Sequence, residues 1–397
     1  MSPPPPREQA LLLSLARLSL PQSHRDRTRA LVREGVDWEV LSSLAERHGV
    51  TLLVHRHLAR EAAELCPAPV LESFASKARA TAALNVMLTA ELAELLPELE
   101  GAGCGPVVVK GPALAVAVYG DLASRPFGDV DVVVEPSTRS RACDLLESRG
   151  YLPWPPVPRR WQESWRRSTD EQLFRRQGSP LLVDLHWELT ARGYTHSMRL
   201  SEVRPRLERV RAGAGDVWTL GPEDTLLFLC VHGTKHGWAV LGWLVDLAEL
   251  VRGRAGLDWD AVVRWSRRPG RRRLVQLGLH LAQRVLEAPV PADVLADGAR
   301  DPQVAALVAE VERGLRDPSS TPRGGPWSGL LGSVRFRAFE TWPDRLRHVH
   351  EWLLMPRPPD YEWVSLPPWA RPAYYGVRPI RLLLKHGGRR IGFRGGH

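Results

Sequence analysis

Hydrophobic positions recur at helical spacing almost without a break from residue 7 to 101, which predicts helices over 8–20, 38–48, 51–65 and 69 to about 100. The pattern then changes. Gly101-Ala102-Gly103-Cys104-Gly105 leads into Pro106-Val107-Val108-Val109-Lys110, a β-branched run that predicts a short buried strand. Gly111-Pro112 turns the chain into a helix through Tyr119, with the proline well placed for a first helical turn. A second strand is predicted over 129–135, then a helix over 137–148 that stops at Gly150. The proline- and tryptophan-rich stretch 154–165 reads as irregular. Segments 171–176 and 180–187 flank Gln177-Gly178-Ser179 and read as a β-hairpin.

Past residue 220 helical spacing returns, over 222–235, 239–252, 258–267, 271–287 and about 291–315. Ser319 to Pro326 reads as a linker, followed by helix over about 330–355 and a tail containing Pro367-Pro368-Trp369 and Tyr374-Tyr375. The tail's apolar content predicts that it packs on the body, and its basic end from Lys385 to Arg394 is expected to be mobile. The expectation is an α+β protein in four stretches: an N-terminal helical region 1–101, a small mixed sheet 102–190, a C-terminal helical domain 191–318 and a helical, Pro/aromatic tail 319–397.

Composition narrows the class. A chain of 397 residues with 44% hydrophobic content is a normal globular protein. No run approaches the roughly 20 apolar residues of a membrane span. The short apolar stretch 11–18 lacks a cleavage-site pattern, so a cytoplasmic location is expected. Cys66, Cys104, Cys143 and Cys230 lie far apart in apolar surroundings and read as reduced core residues. The net charge is +9, yet the lysines are confined to positions 77, 110, 235 and 385 in a chain of 54 basic residues. Such an arginine skew reads as coding bias more than as a nucleic-acid surface, although it leaves room for a phosphate-bearing substrate. The 15 tryptophans do not alternate with basic residues, so no stacking track for single strands is indicated.

Three carboxylates carry the candidate chemistry. Asp129 and Asp131 share one face of their predicted strand because side chains alternate with period two, and Asp184 can come alongside from another strand. Acids within β-branched runs are costly unless neutralised. One reading is a cage for Mg²⁺ or Mn²⁺, which favour oxygen donors. The other has Asp129 capping a turn, Asp131 pairing with an arginine and Asp184 lying at an exposed sheet edge.

The order Val108-Val109-Lys110-Gly111, Tyr119, Arg125-Pro126-Phe127-Gly128-Asp129-Val130-Asp131, a helix ending at Gly150-Tyr151, then Val183-Asp184-Leu185-His186-Trp187 resembles the polymerase-β-like nucleotidyltransferase superfamily. It is most similar to the bacterial branch labelled uncharacterised nucleotidyltransferase, marked by Lys-Gly, Arg before Asp-x-Asp, and Asp-x-His-Trp. His232-Gly233-Thr234-Lys235-His236-Gly237-Trp238, Trp243-Leu244-Val245-Asp246 and the tail's Tyr374-Tyr375 extend the similarity, from about residue 106 to the C-terminus. The resemblance implies a nucleotidyltransferase core that transfers a nucleoside monophosphate from an NTP to a hydroxyl or similar acceptor, releasing pyrophosphate with two metal ions.

By the same resemblance Asp129 and Asp131 ligate both metals, while Asp184 binds the catalytic one and orients or deprotonates the acceptor. Lys110, Gly111 and the following helix N-terminus are then the phosphate grip. Arg125, on the loop just before the acids, reads either as steadying a triphosphate or its leaving group or as a surface arginine. The Lys110-Gly111 pair departs from the superfamily pattern: Gly111 lies 18 positions before Asp129, farther away than the usual glycine turn. The acceptor is left open among a small molecule, a peptide or protein side chain and an RNA end, in a biosynthetic setting. Two other readings are a catalytically reduced nucleotide-binding scaffold that partners with biosynthetic enzymes, and a toxin-like enzyme acting on RNA ends.

Other residues carry paired readings. His186 points from the strand face of Asp184 and either contacts a phosphate, supports Asp184 or finishes the sheet. His232 and His236 share a helix face. With Asp246 they form part of a zinc site, or with Lys235 and Trp238 they form a wall of the substrate cleft or lock the two helices together. Tyr119 and Phe127 either stack on a nucleobase or pack in the core.

Overall fold

The N-terminal helical pattern folds into α1 (Arg7–Leu15), α2 (Gln22–Arg33), α3 (Trp38–Arg47), α4 (Thr51–Glu61) and the long α5 (Ala68–Gly101). The computed structural model describes residues 6–157, 159–316 and 333–387. Where one helix is expected over 8–20, α1 ends at Leu15 and α2 begins after Pro21. The second helix escapes the pattern because it buries little besides Thr28 and Val32. Asp37 caps α3 by accepting from the amides of Glu39 and Val40.

Five strands follow: β1 (Val107–Val108), β2 (Asp129–Val133), β3 (Tyr151–Trp154), β4 (Glu171–Arg176) and β5 (Leu182–His186). They form one sheet in the order β1-β2-β5-β4-β3. Only the central β2–β5 pair is parallel, so the sheet is mixed as expected, and β4–β5 is the expected hairpin. Helix α6 (Gly111–Tyr119) joins β1 to β2, and α7 (Arg139–Ser148) precedes β3.

β3, which the sequence pattern does not predict, ends where the stretch expected to be irregular begins, and that stretch supplies most of α8 (Arg159–Ser168). Its prolines hide a buried residue, Trp161, which packs on Tyr361 and Tyr374 of the tail. A short helix, α9 (Leu200–Val203), leads to a polar hairpin, β6 (Glu208–Ala212) and β7 (Gly215–Thr219), which also goes unread in the sequence. It packs beside α6 and β1.

The C-terminal pattern gives α10 (Pro222–Lys235), α11 (Leu241–Gly253), α12 (Trp259–Ser266), α13 (Arg272–Leu286), α14 (Ala292–Ala299) and α15 (Pro302–Arg316). The fold is α+β. One hydrophobic core joins Leu11, Leu41 and Leu58 of the N-terminal helices to Leu247, Leu277 and Leu307 of the C-terminal ones. A second lies on the sheet around Val130, Val132 and Leu185. Val107, Val109 and Val133 belong to the first core and Val108, Val130, Val132 and Val134 to the second, so the two cores lie on opposite faces of the sheet. The four cysteines are buried and free. Among the described residues no helix is long and apolar enough to cross a membrane. The expected linker at 319–326 and the tail's basic end beyond 387 lie outside the described residues.

Candidate active site

Parallel pairing of β2 with β5 sets Asp131 directly opposite Asp184. His186 lies two residues on from Asp184 and so shares its face. Its Nε2 is 3.2 Å from Oδ1 of Asp131 and 3.2 Å from Oδ2 of Asp184. On the other side, Val109 donates its amide to the Asp131 carbonyl at 3.2 Å, and this brings Lys110 Nζ to 2.9 Å from Asp131 Oδ1. Asp131 is 3% exposed. Burial opposes its ionisation, but the Lys110 ammonium and the His186 ring outweigh it and hold the carboxyl well below the usual range. Burial by itself would discharge His186; Asp184 above all, then Asp131, push its imidazole up to about 10.

The acids still have unused oxygens. Oδ2 of Asp131 and Oδ1 of Asp184 are buried without a hydrogen-bond partner. Orphaned carboxylate oxygens on facing strands fit a divalent cation, which would satisfy both. Among the described residues, the candidate ligand atoms within 4.8 Å of one another belong to Asp131, Asp184 and His186. Asp129 stands at the open edge of the cleft that these residues line. Loss of solvent within the cleft, then the charge of Asp131, raise its carboxyl above the ordinary value.

Gly111 explains why the phosphate loop has its form. Its φ is +55°, and a Cβ there would lie 3.4 Å from the Asp129 carbonyl, so a side chain is disfavoured by both backbone and space. The N-terminus of α6 thereby lies against β2, with Lys110 as its flanking residue.

Arg125 lines the cleft but is already engaged. Its Nε donates to Oδ1 of Asp246 at 2.8 Å and its Nη2 to Oδ2 at 3.0 Å, while the Tyr119 hydroxyl donates to the same Oδ1 at 2.7 Å. Asn85, fully buried on α5, fixes the loop by donating to the carbonyls of Leu122 and Arg125. Asp246 therefore serves Arg125 and not a zinc site with the α10 histidines, and the buried Tyr119 is not free to stack on a base. Phe127 does line the cleft.

The cleft has a volume of about 680 Å³. Its α10–α11 wall is aromatic: His232 and His236 lie 4.7 Å apart, each against Trp243, with Phe228 stacked on His232. Burial discharges both imidazoles, holding His236 down to about 4 with help from Lys235 and Lys110. A neutral aromatic face thus adjoins the charged acids. Sequence reasoning passed over Glu171, which pairs with His186 across β4–β5 and also meets Lys235 Nζ at 3.3 Å. Its legible signal is Lys235 itself, one of four lysines.

A sequence profile of the uncharacterised nucleotidyltransferase family matches residues 34–287. The chain belongs to this family. The match begins within the N-terminal helices, well before the motif-bearing stretch, and ends after α13. Membership makes this nucleotidyltransferase-family protein a transferase whose general chemistry is nucleotidyl transfer. No curated protein matches the chain.

Proposed function

We propose that the protein is a divalent-metal-dependent nucleotidyltransferase that moves a nucleoside monophosphate from an NTP to an acceptor hydroxyl or similar group. The observation that carries this reading is the register pairing of Asp131 with Asp184, each with a buried oxygen that lacks a partner. Asp131 and Asp184 would hold Mg²⁺ or Mn²⁺, with Asp129 completing the set from the cleft edge. When bound, such ions stabilise the attacking and leaving oxygens of an in-line displacement.

The protein's own residues supply the rest. Gly111, which lines the cleft at the start of α6, and the Lys110 ammonium would bind the phosphates. Arg125, immobilised by Asp246, adds a fixed positive charge beside the acids. His186 keeps Asp131 and Asp184 oriented through its Nε2 and is itself oriented through Nδ1 by Glu171. The neutral wall of His232, His236 and Trp243 offers a stacking surface for the nucleobase. In the transfer, the acceptor oxygen bonds to the α-phosphorus, the bond from that phosphorus to the bridging oxygen breaks, and pyrophosphate leaves. The acceptor proton passes to Asp184 or to water.

Incubating the full chain with each α-phosphate-labelled NTP, Mg²⁺ and cell extract tests this. The expected result is label transferred to one acceptor class with matching pyrophosphate. Tight NTP binding without transfer from any extract would replace the reading with that of a non-catalytic nucleotide-binding protein.

A further inference from the structure

The cleft has a second wall, made partly by residues beyond 287, where the family match ends. Arg335 lies on the helix Val334–Ala338, and Phe339 follows it directly. His196 stacks on Phe339 with centroids 5.7 Å apart, and Tyr194 stacks on Phe339 at 5.3 Å. The Arg335 guanidinium lies 5.6 Å from the Tyr194 ring centre and 5.8 Å from that of Phe339. Its helix neighbour Arg337 pairs with Glu310, whereas Arg335 makes no ion pair or hydrogen bond among the described residues. A half-buried guanidinium held on aromatic faces keeps its N–H fork free for a ligand.

A second atom is left open at the same place. His196 is 3% exposed and lines the cleft, and its Nδ1 is buried without a hydrogen-bond partner. The acids nearby are already engaged: Asp344 accepts from the Thr195 amide at 2.9 Å, Glu351 from the Tyr194 hydroxyl at 2.7 Å, and Asp170 from the Arg192 amide at 3.0 Å. Glu188 stands among Asp170, Arg192 and Arg199. Lys110, His236, His196 and Arg335 all line the same cleft, so its two ends belong to one cavity.

We propose that this wall is the acceptor subsite and that it takes an acceptor carrying a carboxylate or phosphate group, gripped by Arg335 with His196 beside it. The inference rests on the nucleotidyl-transfer reading for the word acceptor, whereas the anion site itself stands on Arg335 and His196. A guanidinium fork matches either anion through paired N–H donors. The acceptor would then be anchored at one end by its anion while its nucleophilic oxygen reaches the acid pair. A competing source of negative charge is the NTP's own phosphates.

Calorimetry on the full chain separates these. The protein is first saturated with Mn²⁺ and a non-transferable NTP analogue, and inorganic phosphate or benzoate is then titrated in separate arms. At least one of the two is expected to bind, and Arg335→Gln to weaken it by roughly tenfold or more, with Arg335→Lys recovering part of the loss. Affinity for the NTP analogue is expected to change by no more than about twofold in these variants. The proposal is overturned if neither anion binds, if Arg335→Gln leaves binding unchanged, or if that variant weakens the NTP analogue instead. The failure of nucleotidyl transfer itself would appear differently: the analogue and Mn²⁺ would not bind, while the anion titrations on the unsaturated chain would still report on Arg335.

Discussion

Asp131 and Asp184 are register partners on the two parallel strands at the centre of the sheet, and each keeps one buried oxygen without a partner. On the proposed function these two oxygens share a divalent cation. Asp184→Asn keeps the shape and removes one of the two charges, so Mn²⁺ affinity, read by calorimetry, is expected to fall by at least the roughly ten- to hundredfold that losing an outer-shell partner costs. Circular dichroism is expected to stay unchanged. Equal Mn²⁺ affinity in both proteins would remove Asp184 from the metal set.

The Arg125–Asp246–Tyr119 cluster is structural as well as electrostatic. Asp246→Ala leaves a buried guanidinium without its bidentate partner, and a loss of about 3–5 kcal/mol is expected in urea denaturation. Tyr119→Phe removes one hydrogen bond to a carboxylate that keeps its arginine, so about 1–2 kcal/mol is expected. Equal losses in the two variants would show that the ion pair is not the dominant contact.

Stability is expected to fall on mild acidification. His48 is 4% exposed and its Nδ1 accepts from the Leu241 amide at 3.2 Å. Burial, then the charge of Arg47, hold its imidazole down to about 4. The unfolded chain takes up a proton near 6.5 that the folded protein refuses. The stabilisation is therefore complete above about pH 6.5 and lost as pH falls toward 4, by roughly 2–3 kcal/mol. The urea midpoint across this range measures it. His48→Asn, whose side-chain oxygen can accept the same amide without titrating, is expected to show a shallower fall; an identical slope would assign the effect elsewhere, with His196, His236 and His348 the other groups held to about 4.

What the sequence makes legible follows the strength of each pattern. Strand alternation places Asp129, Asp131, Asp184 and His186 without ambiguity of face, because a slip of one residue would send every side chain to the other side. Lys110 and Gly111 are legible from composition and turn chemistry. Partners remote in sequence are not: nothing local connects Arg125 to Asp246, or Tyr194 and His196 to Arg335. Helix α2 is hidden by its polar face, and β3 and α8 by prolines whose neighbour Trp161 finds its partners in the tail. The β6–β7 hairpin is hidden because its outward residues are charged and little of it is buried.

The most direct measurement is pyrophosphate release from the NTP that labels an acceptor, with Mg²⁺, by the wild-type chain and by Asp131→Asn. Asp131 is the carboxylate on which Lys110 and His186 converge. The expected result is Mg²⁺-dependent release that falls by roughly 10³-fold or more in the variant, as when a charge essential to phosphoryl transfer is lost, with the fold intact by circular dichroism. Release that is unchanged in Asp131→Asn, or that proceeds equally well without divalent metal, would contradict the account.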